Sequence, residues 1–131
     1  NVILVSESAG ALETRLLDFG LARSLEVTGG SQTAEGTFVG SLAYAAPEQV
    51  LGDKVGPAAD WWALGVLAYE LLTNARPFRG DRRLAIVRSI LWTPPPEIKG
   101  PPDIARTIRA LLVKDSQKRP TYAEIRSSWR G

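Results

Sequence analysis

The sequence predicts a mainly α-helical fold, in which a small β-hairpin and a long loop precede about four helices. Three observations support this prediction. Two short runs that contain apolar side chains, residues 2–5 and 13–17, flank a stretch of small and polar residues. Residues 21–43 show no hydrophobic period, whereas four later stretches carry apolar residues at helical spacing. A chain of 131 residues is long enough for one domain or part of one.

The predicted N-terminal hairpin places two candidate site residues at its open end. Residues 2–5 and 13–17 lie on either side of residues 6–11, a pattern typical of two antiparallel strands. Asn1 and Asp18 are equally distant from the middle of this loop, so the simplest pairing places their side-chain oxygens at the same end. A register shift of one residue would change this arrangement.

The first and longest predicted helix runs from Asp60 to about Thr73. Asp60 is a suitable N-cap, and Asn74 followed by Pro77 ends the helix. Its apolar residues cover nearly the whole circumference, which is typical of a buried helix. Gly65 in the middle costs about 1 kcal/mol relative to Ala, which indicates close packing of another backbone there.

Three further helices are predicted after this one. Residues 81–92 form an amphipathic helix that three prolines terminate. Asp103 caps the next, and Thr121 with Glu124 forms a capping box at the start of the last. The predicted apolar faces are, in chain order, Leu84, Val87 and Leu91; Ile104, Ile108, Leu111 and Leu112; and Tyr122, Ile125 and Trp129.

Composition excludes several classes of function. The chain has 16 Lys and Arg against 14 Asp and Glu, and the basic residues are scattered, which argues against a nucleic-acid surface. It contains neither Cys nor His, which excludes disulfides, thiolate zinc sites and a Ser-His-Asp triad. The longest apolar run, Trp61 to Tyr69, is far shorter than the ~20 residues of a membrane-spanning helix. We therefore expect a cytoplasmic segment without membrane contact of its own, and the full-length protein could carry a membrane segment elsewhere.

Several short motifs follow one another in an order typical of one protein family. They are Asn1, Asp18-Phe19-Gly20, Ala46-Pro47-Glu48, Asp60-x-Trp62-x-x-Gly65 and Arg119-Pro120. This order resembles the C-terminal lobe of a eukaryotic-like serine/threonine protein kinase domain, where D-F-G and A-P-E motifs flank an activation loop. The resemblance covers residues 1–131 and implies a partial kinase domain without its N-terminal lobe.

The resemblance implies a metal and nucleotide site at Asn1 and Asp18. In the family, an Asn and an Asp at these motif positions hold Mg²⁺ against the phosphates of ATP. Phe19 corresponds to the ring whose packing distinguishes active from inactive states, and Gly20 completes the motif. In isolation Asp18 would be interpreted as a structural turn residue, but the companion motifs favour the metal role.

The resemblance also implies two structural roles. Glu48 and Arg119 correspond to a buried ion pair that ties the end of the loop to the helical lobe; the alternative is two solvated charges. Asp60 corresponds to an Asp that braces the catalytic loop by hydrogen bonds; the alternative is a plain N-cap.

Hydroxyl residues of the long loop are candidates for substrate contact and regulation. Gly40 and Ser41, ahead of the A-P-E motif, are similar to the substrate-side loop of serine/threonine kinases, which implies that Ser41 contacts the substrate. Thr33 and Thr37 lie further out, where a phosphate can order a loop by pairing with Arg. The alternative is that these are small polar residues suited to a mobile loop.

The function implied for the complete protein is transfer of the ATP γ-phosphoryl group to Ser or Thr hydroxyls of a protein substrate, with ATP and Mg²⁺ as cofactors. The family's catalytic base is the Asp of H-R-D-x-x-x-x-N, which would lie upstream of Asn1. The chain also lacks Met, so we expect a piece of a longer protein, inactive alone. The alternative is a pseudokinase, a binding or scaffold module without turnover; the retained Asn1 and Asp18 favour the enzyme.

Overall fold

The computed structural model describes residues 2–6, 12–16 and 42–128. The chain divides into two compact units, residues 1–30 and residues 31–131. The fold is mainly α-helical, as predicted, with a two-stranded sheet in the first unit.

The first unit contains the predicted hairpin. Strand β1 (Val2–Ser6) pairs antiparallel with strand β2 (Leu12–Leu16). Val2 lies opposite Leu16, one residue away from the register that would align Asn1 with Asp18. The predicted register is therefore wrong by one residue, because loop geometry rather than symmetry of the sequence sets the pairing. Asn1 and Asp18 themselves lie outside the described residues.

The second unit is built from helices. They are α1 (Pro47–Leu51), α2 (Ala58–Thr73), α3 (Arg83–Trp92), α4 (Pro102–Leu111), a 3₁₀ turn (Ser116–Lys118) and α5 (Tyr122–Ser128). The four predicted helices are present, and α1 is an additional short one. None of the helices in the described ranges is long and apolar enough to cross a membrane.

Prolines, rather than the predicted aspartates, occupy the starts of two helices. Pro57 is the N-cap of α2, so Asp60 lies in the first turn instead of capping the helix. Asp103 likewise lies in the first turn of α4, which Pro101 precedes. Both predicted caps are wrong because the fixed φ of proline suits the first helical positions. The two carboxylates still lie at the positive end of the helix dipole.

Helix α2 lies at the centre of the hydrophobic core. Trp62 and Val66 are fully buried, and a Cβ added at Gly65 would lie 2.8 Å from Leu111 Cβ, so the predicted close approach is confirmed. The helix is not buried on all sides, however, because Leu71 is 78% exposed. Asn74 ends the helix, as predicted, and adopts a left-handed φ of 54°.

The rest of the core comes from the chain on both sides of α2. Phe78 stacks on Trp62 with ring centroids 5.1 Å apart. Ala59 and Tyr69 of α2 and buried residues from the rest of the unit complete this cluster: Leu42, Ala45, Ala46, Ile86, Ile90, Ile98, Ala105, Ile108 and Leu112. The predicted stripe of α4 is largely present in this list, and Leu111 is also buried.

Helix α3 turns a different face to the core from the one predicted. Ile86 and Ile90 are buried, whereas Leu84 is 75% exposed. The prediction was wrong because this helix carries large apolar side chains on both sides, so spacing alone does not distinguish them. Val87 packs at the edge of the core as a partly buried residue.

Helix α5 begins as predicted but is more exposed than expected. The Thr121 N–H donates to Glu124 Oε2 at 2.7 Å, and the Glu124 N–H donates to Thr121 Oγ1 at 3.4 Å, so the capping box is confirmed. Tyr122 is exposed and Ile125 half-buried, and none of the residues 122–128 is fully buried. Trp129, the third residue of the predicted face, lies outside the described residues.

Candidate functional site

The structure describes three of the candidate site residues and leaves the others outside its described ranges. The three are Glu48, Asp60 and Arg119. The others are the proposed metal ligands Asn1 and Asp18, the motif residues Phe19 and Gly20, and the loop hydroxyls Thr33, Thr37 and Ser41. The contacts described below are therefore those of residues 42–128, which follow the long loop.

Glu48 and Arg119, which are 71 residues apart in sequence, form a bidentate ion pair. Arg119 Nη1 donates to Glu48 Oε1 at 2.7 Å, and Arg119 Nη2 donates to Glu48 Oε2 at 2.8 Å. Both residues are buried: Arg119 is 6% exposed and Glu48 is 8% exposed. Pro47 is the first residue of α1, after the N-cap Ala46, and Glu48 is a buried residue of its first turn.

The remaining donors of Arg119 bind three backbone carbonyls. Nε donates to Val113 O at 2.8 Å, Nη1 to Ala58 O at 2.8 Å and Nη2 to Lys114 O at 3.1 Å. With the two bonds to Glu48, all five N–H groups of the guanidinium have an acceptor. Its Cζ also lies 5.1 Å from the centroid of Trp62. One side chain thus joins α1, the start of α2 and the segment after α4.

The charge state of the pair follows from these contacts. Burial by itself raises the pKa of Glu48, but the hydrogen bonds from Arg119 and from the backbone outweigh it and lower the pKa below its usual value. Glu48 is therefore ionised at neutral pH. Removing one partner of a buried ion pair is costly because the remaining charge is left buried and unpaired.

A second cluster, which sequence reasoning missed, joins the same segment to the other end of α2. The Tyr44 hydroxyl donates to Glu70 Oε2, and Arg76 Nε donates to Glu70 Oε1 at 3.4 Å. Arg76 Cζ lies 5.6 Å from the Tyr44 ring centroid. The hydrogen bond to Glu70, followed by burial, raises the pKa of Tyr44. Tyr44 and Glu70 are 26 residues apart, so no local spacing pointed to the pair.

Lys114 lies against the C-terminal end of α3 and the aromatic ring of Phe78. Its Nζ donates to Ile90 O at 2.5 Å, at the C-terminal end of that helix, where a positive charge is favourable. The ammonium also lies 3.8 Å from the Phe78 ring centroid and 5.0 Å from that of Trp62. Burial, with a smaller effect of Arg119, lowers the pKa of Lys114 to about 8.

Asp60 lies in the first turn of α2 with an exposed side chain. The partner that the resemblance implies for it, the catalytic loop around Asn1, is outside the described ranges. Across residues 2–6, 12–16 and 42–128, no group of three or more His, Cys, Asp or Glu side chains is arranged to hold a metal ion. Two polar anchors hold residues 42–48 in this framework: Glu48–Arg119 and Tyr44–Glu70–Arg76.

Comparison with known proteins agrees with this framework. Residues 1–129 match the protein kinase domain family. Serine/threonine-protein kinase PknA of Mycobacterium tuberculosis is 36% identical over 108 residues, which are 82% of this chain and 24% of that protein. Serine/threonine-protein kinase UCN of Arabidopsis thaliana is 39% identical over 109 residues, 83% of this chain and 25% of that protein. Serine/threonine-protein kinase Pkn1 of Myxococcus xanthus is 38% identical over 128 residues, which are 95% of this chain and 18% of that protein.

These curated relatives are much longer than this chain. It spans 24% of PknA, 25% of UCN and 18% of Pkn1.

Proposed function

This chain belongs to the protein kinase domain family, and we propose that the complete protein is a serine/threonine kinase that transfers the γ-phosphoryl group of ATP to protein Ser or Thr hydroxyls. The observation that carries the proposal is the match of residues 1–129 to the family, with relatives named serine/threonine-protein kinases at 36% to 39% identity. The buried Glu48–Arg119 pair supports it, because it links the A-P-E motif to the helical unit.

We assign the metal and nucleotide site to Asn1 and Asp18. Their amide and carboxylate oxygens are donors suited to Mg²⁺, which prefers oxygen ligands and binds through one or two carboxylates plus substrate phosphates. Bound Mg²⁺ supplies charge stabilisation for the phosphates of ATP. Phe19 and Gly20 complete the motif that presents Asp18, and Asp60 braces the loop that carries Asn1.

The described framework has a positioning role in this proposal. Glu48–Arg119 and Tyr44–Glu70–Arg76 hold residues 42–48 at two points, and Ser41 directly precedes this held segment. Such a segment can present a substrate hydroxyl in one orientation, and orientation is a large part of enzymatic rate acceleration. Ser41 is accordingly assigned to contact with the protein substrate.

The central experiment is a phosphoryl-transfer assay with labelled ATP, Mg²⁺ and a generic basic protein as substrate. The complete protein should be active, Asp18→Asn should lose nearly all turnover, and Asp53→Asn, at an exposed carboxylate two residues after α1, should retain it. The 131-residue chain alone should be inactive, because it contains no counterpart of the family's catalytic base. A complete protein that folds and shows no turnover would be a scaffold instead of an enzyme.

Regulation is assigned to Thr33 and Thr37. Either hydroxyl can accept a phosphate, which adds roughly −1.5 to −2 charges and orders a segment by pairing with Arg. Mass spectrometry of the complete protein after incubation with ATP should find phosphate at these residues. The double variant Thr33→Ala/Thr37→Ala should have lower activity than Ser24→Ala, and undiminished activity would exclude control from these two sites.

A further inference from the structure

The connection between α3 and α4 contains a run of three prolines, residues 94–96, that lies outside the buried core. Pro94 and Pro96 are exposed, and Pro95 between them is half-buried. The residues on either side of the run are exposed as well. We call residues 93–97 the proline segment.

The sequence restricts the backbone of the proline segment to the extended polyproline II conformation. A proline ring fixes its own φ at about −65°, and a residue that precedes a proline is excluded from the helical region. Thr93, Pro94 and Pro95 each precede a proline, and Thr93 has a φ of −84° and a ψ of 126°. Residues 94–99 form neither helix nor strand. A polyproline II helix has no internal hydrogen bonds, so its carbonyl groups point to the surroundings.

The proline segment is held at both ends and open in the middle. At its start, the Thr93 N–H donates to Ser89 O of α3 at 3.1 Å. Directly after its end, Ile98 is 4% exposed and belongs to the core. Within the described ranges, no backbone–backbone hydrogen bond involves residues 94–97. Their carbonyl oxygens are therefore available as acceptors for another molecule.

These features indicate the chemistry of a partner. Domains that recognise polyproline II have a groove lined by aromatic side chains, and the preformed conformation of the ligand reduces the entropy lost on binding. The residues three positions after the prolines are Glu97, Ile98 and Lys99, so the P-x-x-P spacing that SH3 domains recognise is absent. The segment therefore suits a groove that recognises consecutive prolines.

We propose that the proline segment docks a protein domain whose aromatic-lined groove recognises consecutive prolines in the polyproline II conformation. The proline rings pack against the aromatic side chains, and a Trp N–H or Tyr O–H of the groove donates to a free carbonyl of the segment. A basic side chain beside the groove pairs with the exposed Glu97. Docking is separate from phosphoryl transfer and from the exposed side chains of α3.

A purely structural role of the prolines is the competing explanation. One proline after Thr93 is enough to end α3. The other two would then act by restricting the unfolded chain, which stabilises a protein slightly. This explanation predicts a lower melting temperature for Pro96→Ala and no bound domain, so binding measurements distinguish the two roles.

The test uses the complete protein, immobilised for biolayer interferometry, and panels of purified WW, EVH1 and SH3 domains. WW or EVH1 domains, which accept consecutive prolines, should bind, and SH3 domains should not. Pro94→Ala and Pro96→Ala should each weaken the binding about tenfold or more, because each removes a ring that the groove contacts. Glu97→Gln should weaken it about twofold to fivefold, as expected for an exposed ion pair.

Two variants and a peptide serve as controls. Pro102→Ala alters another exposed proline, at the first position of α4, and Leu84→Ala alters a 75% exposed side chain of α3. Both should leave the dissociation constant within about twofold, since neither residue lies in the segment. A peptide of residues 93–99 should compete with the complete protein, and a copy with alanine in place of the three prolines should not.

Three results would overturn the proposal. Absence of binding by every WW and EVH1 domain would leave the prolines with a structural role. Binding that Pro94→Ala and Pro96→Ala leave unchanged, in variants whose melting temperature is also unchanged, would place the docking site elsewhere. Equal competition by the proline and alanine peptides would show that the prolines are not what the domain recognises.

Discussion

Two polar anchors hold the same short segment, residues 42–48, but they differ in burial. The side chains of Arg119 and Glu48 are 0% and 9% exposed, and every donor of the guanidinium is used. The side chains of Arg76 and Glu70 are 39% and 30% exposed, and the hydrogen bond between them is long, at 3.4 Å. Since solvent screens the second anchor, we expect the first to carry most of the stability and the second to adjust local geometry.

The largest effect should follow from loss of the buried anchor. Arg119→Ala leaves Glu48 as an uncompensated buried charge and frees three backbone carbonyls, so it should lower the free energy of unfolding by about 3–5 kcal/mol. Urea denaturation of the complete protein measures this loss. Arg109→Ala, an exposed arginine on α4, is the control and should change stability by no more than about 0.5 kcal/mol. A near-unaltered midpoint for Arg119→Ala would contradict the predicted importance of the pair.

Acid should weaken the buried anchor specifically. The pKa of Glu48 is lower in the folded protein than in the unfolded chain, so its contribution is complete above its ordinary value of 4.5 and declines as the pH falls through the folded pKa. Glu48→Gln lacks this titration. The stability difference between the unaltered protein and Glu48→Gln should therefore shrink as the pH falls below 4.5. If the stability difference between the two proteins stays constant down to the acid transition, Arg119 does not lower the pKa of Glu48.

The exposed anchor should be weaker. Tyr44→Phe removes the hydroxyl that donates to Glu70 while keeping the ring beside Arg76. The expected loss is about 1 kcal/mol, the usual net value of one hydrogen bond. Tyr122→Phe, at an exposed tyrosine of α5, is the matched control. If Tyr44→Phe cost as much as Arg119→Ala, the contrast between the two anchors would be wrong.

The last prediction concerns Lys114, which contacts Ile90 O of α3 and lies beside Trp62 and Phe78. Its pKa is about 8 in the folded protein and 10.5 as the ordinary value. Between these values the unfolded chain binds more protons, so stability should rise with pH over this range. Lys114→Met has no titratable side chain at this position. The rise is therefore isolated by subtracting the variant's free energy of unfolding from that of the unaltered protein at each pH. A flat difference between pH 8 and pH 10 would show that Lys114 keeps its proton against Phe78 and Ile90 O.

Local sequence signals determined the elements of this protein. The hairpin, the four main helices, the capping box of Thr121 and Glu124, the end of α2 at Asn74 and the tight packing at Gly65 were all predicted from the sequence. Most of these features depend on contacts within a few positions or on one residue's conformational freedom, which a sequence displays directly. The packing at Gly65 is against the distant Leu111, and the sequence indicated it only through the presence of a glycine inside a helix. The motif order was enough to predict the family and, through it, the partnership of Glu48 and Arg119.

Tertiary structure decided which faces are covered and which distant groups meet. Apolar spacing did not distinguish the inner face of α3, with Ile86 and Ile90, from the outer one with Leu84, because both satisfy the helical period. Tyr44 and Glu70, 26 residues apart, meet only once α2 has packed beside the segment before α1. The hairpin register shifted by one residue for a similar reason: pairing depends on the geometry of the turn, which hydrophobicity does not encode. A sequence specifies what each segment prefers, whereas burial and long-range pairing follow from the free energy of the whole packed chain.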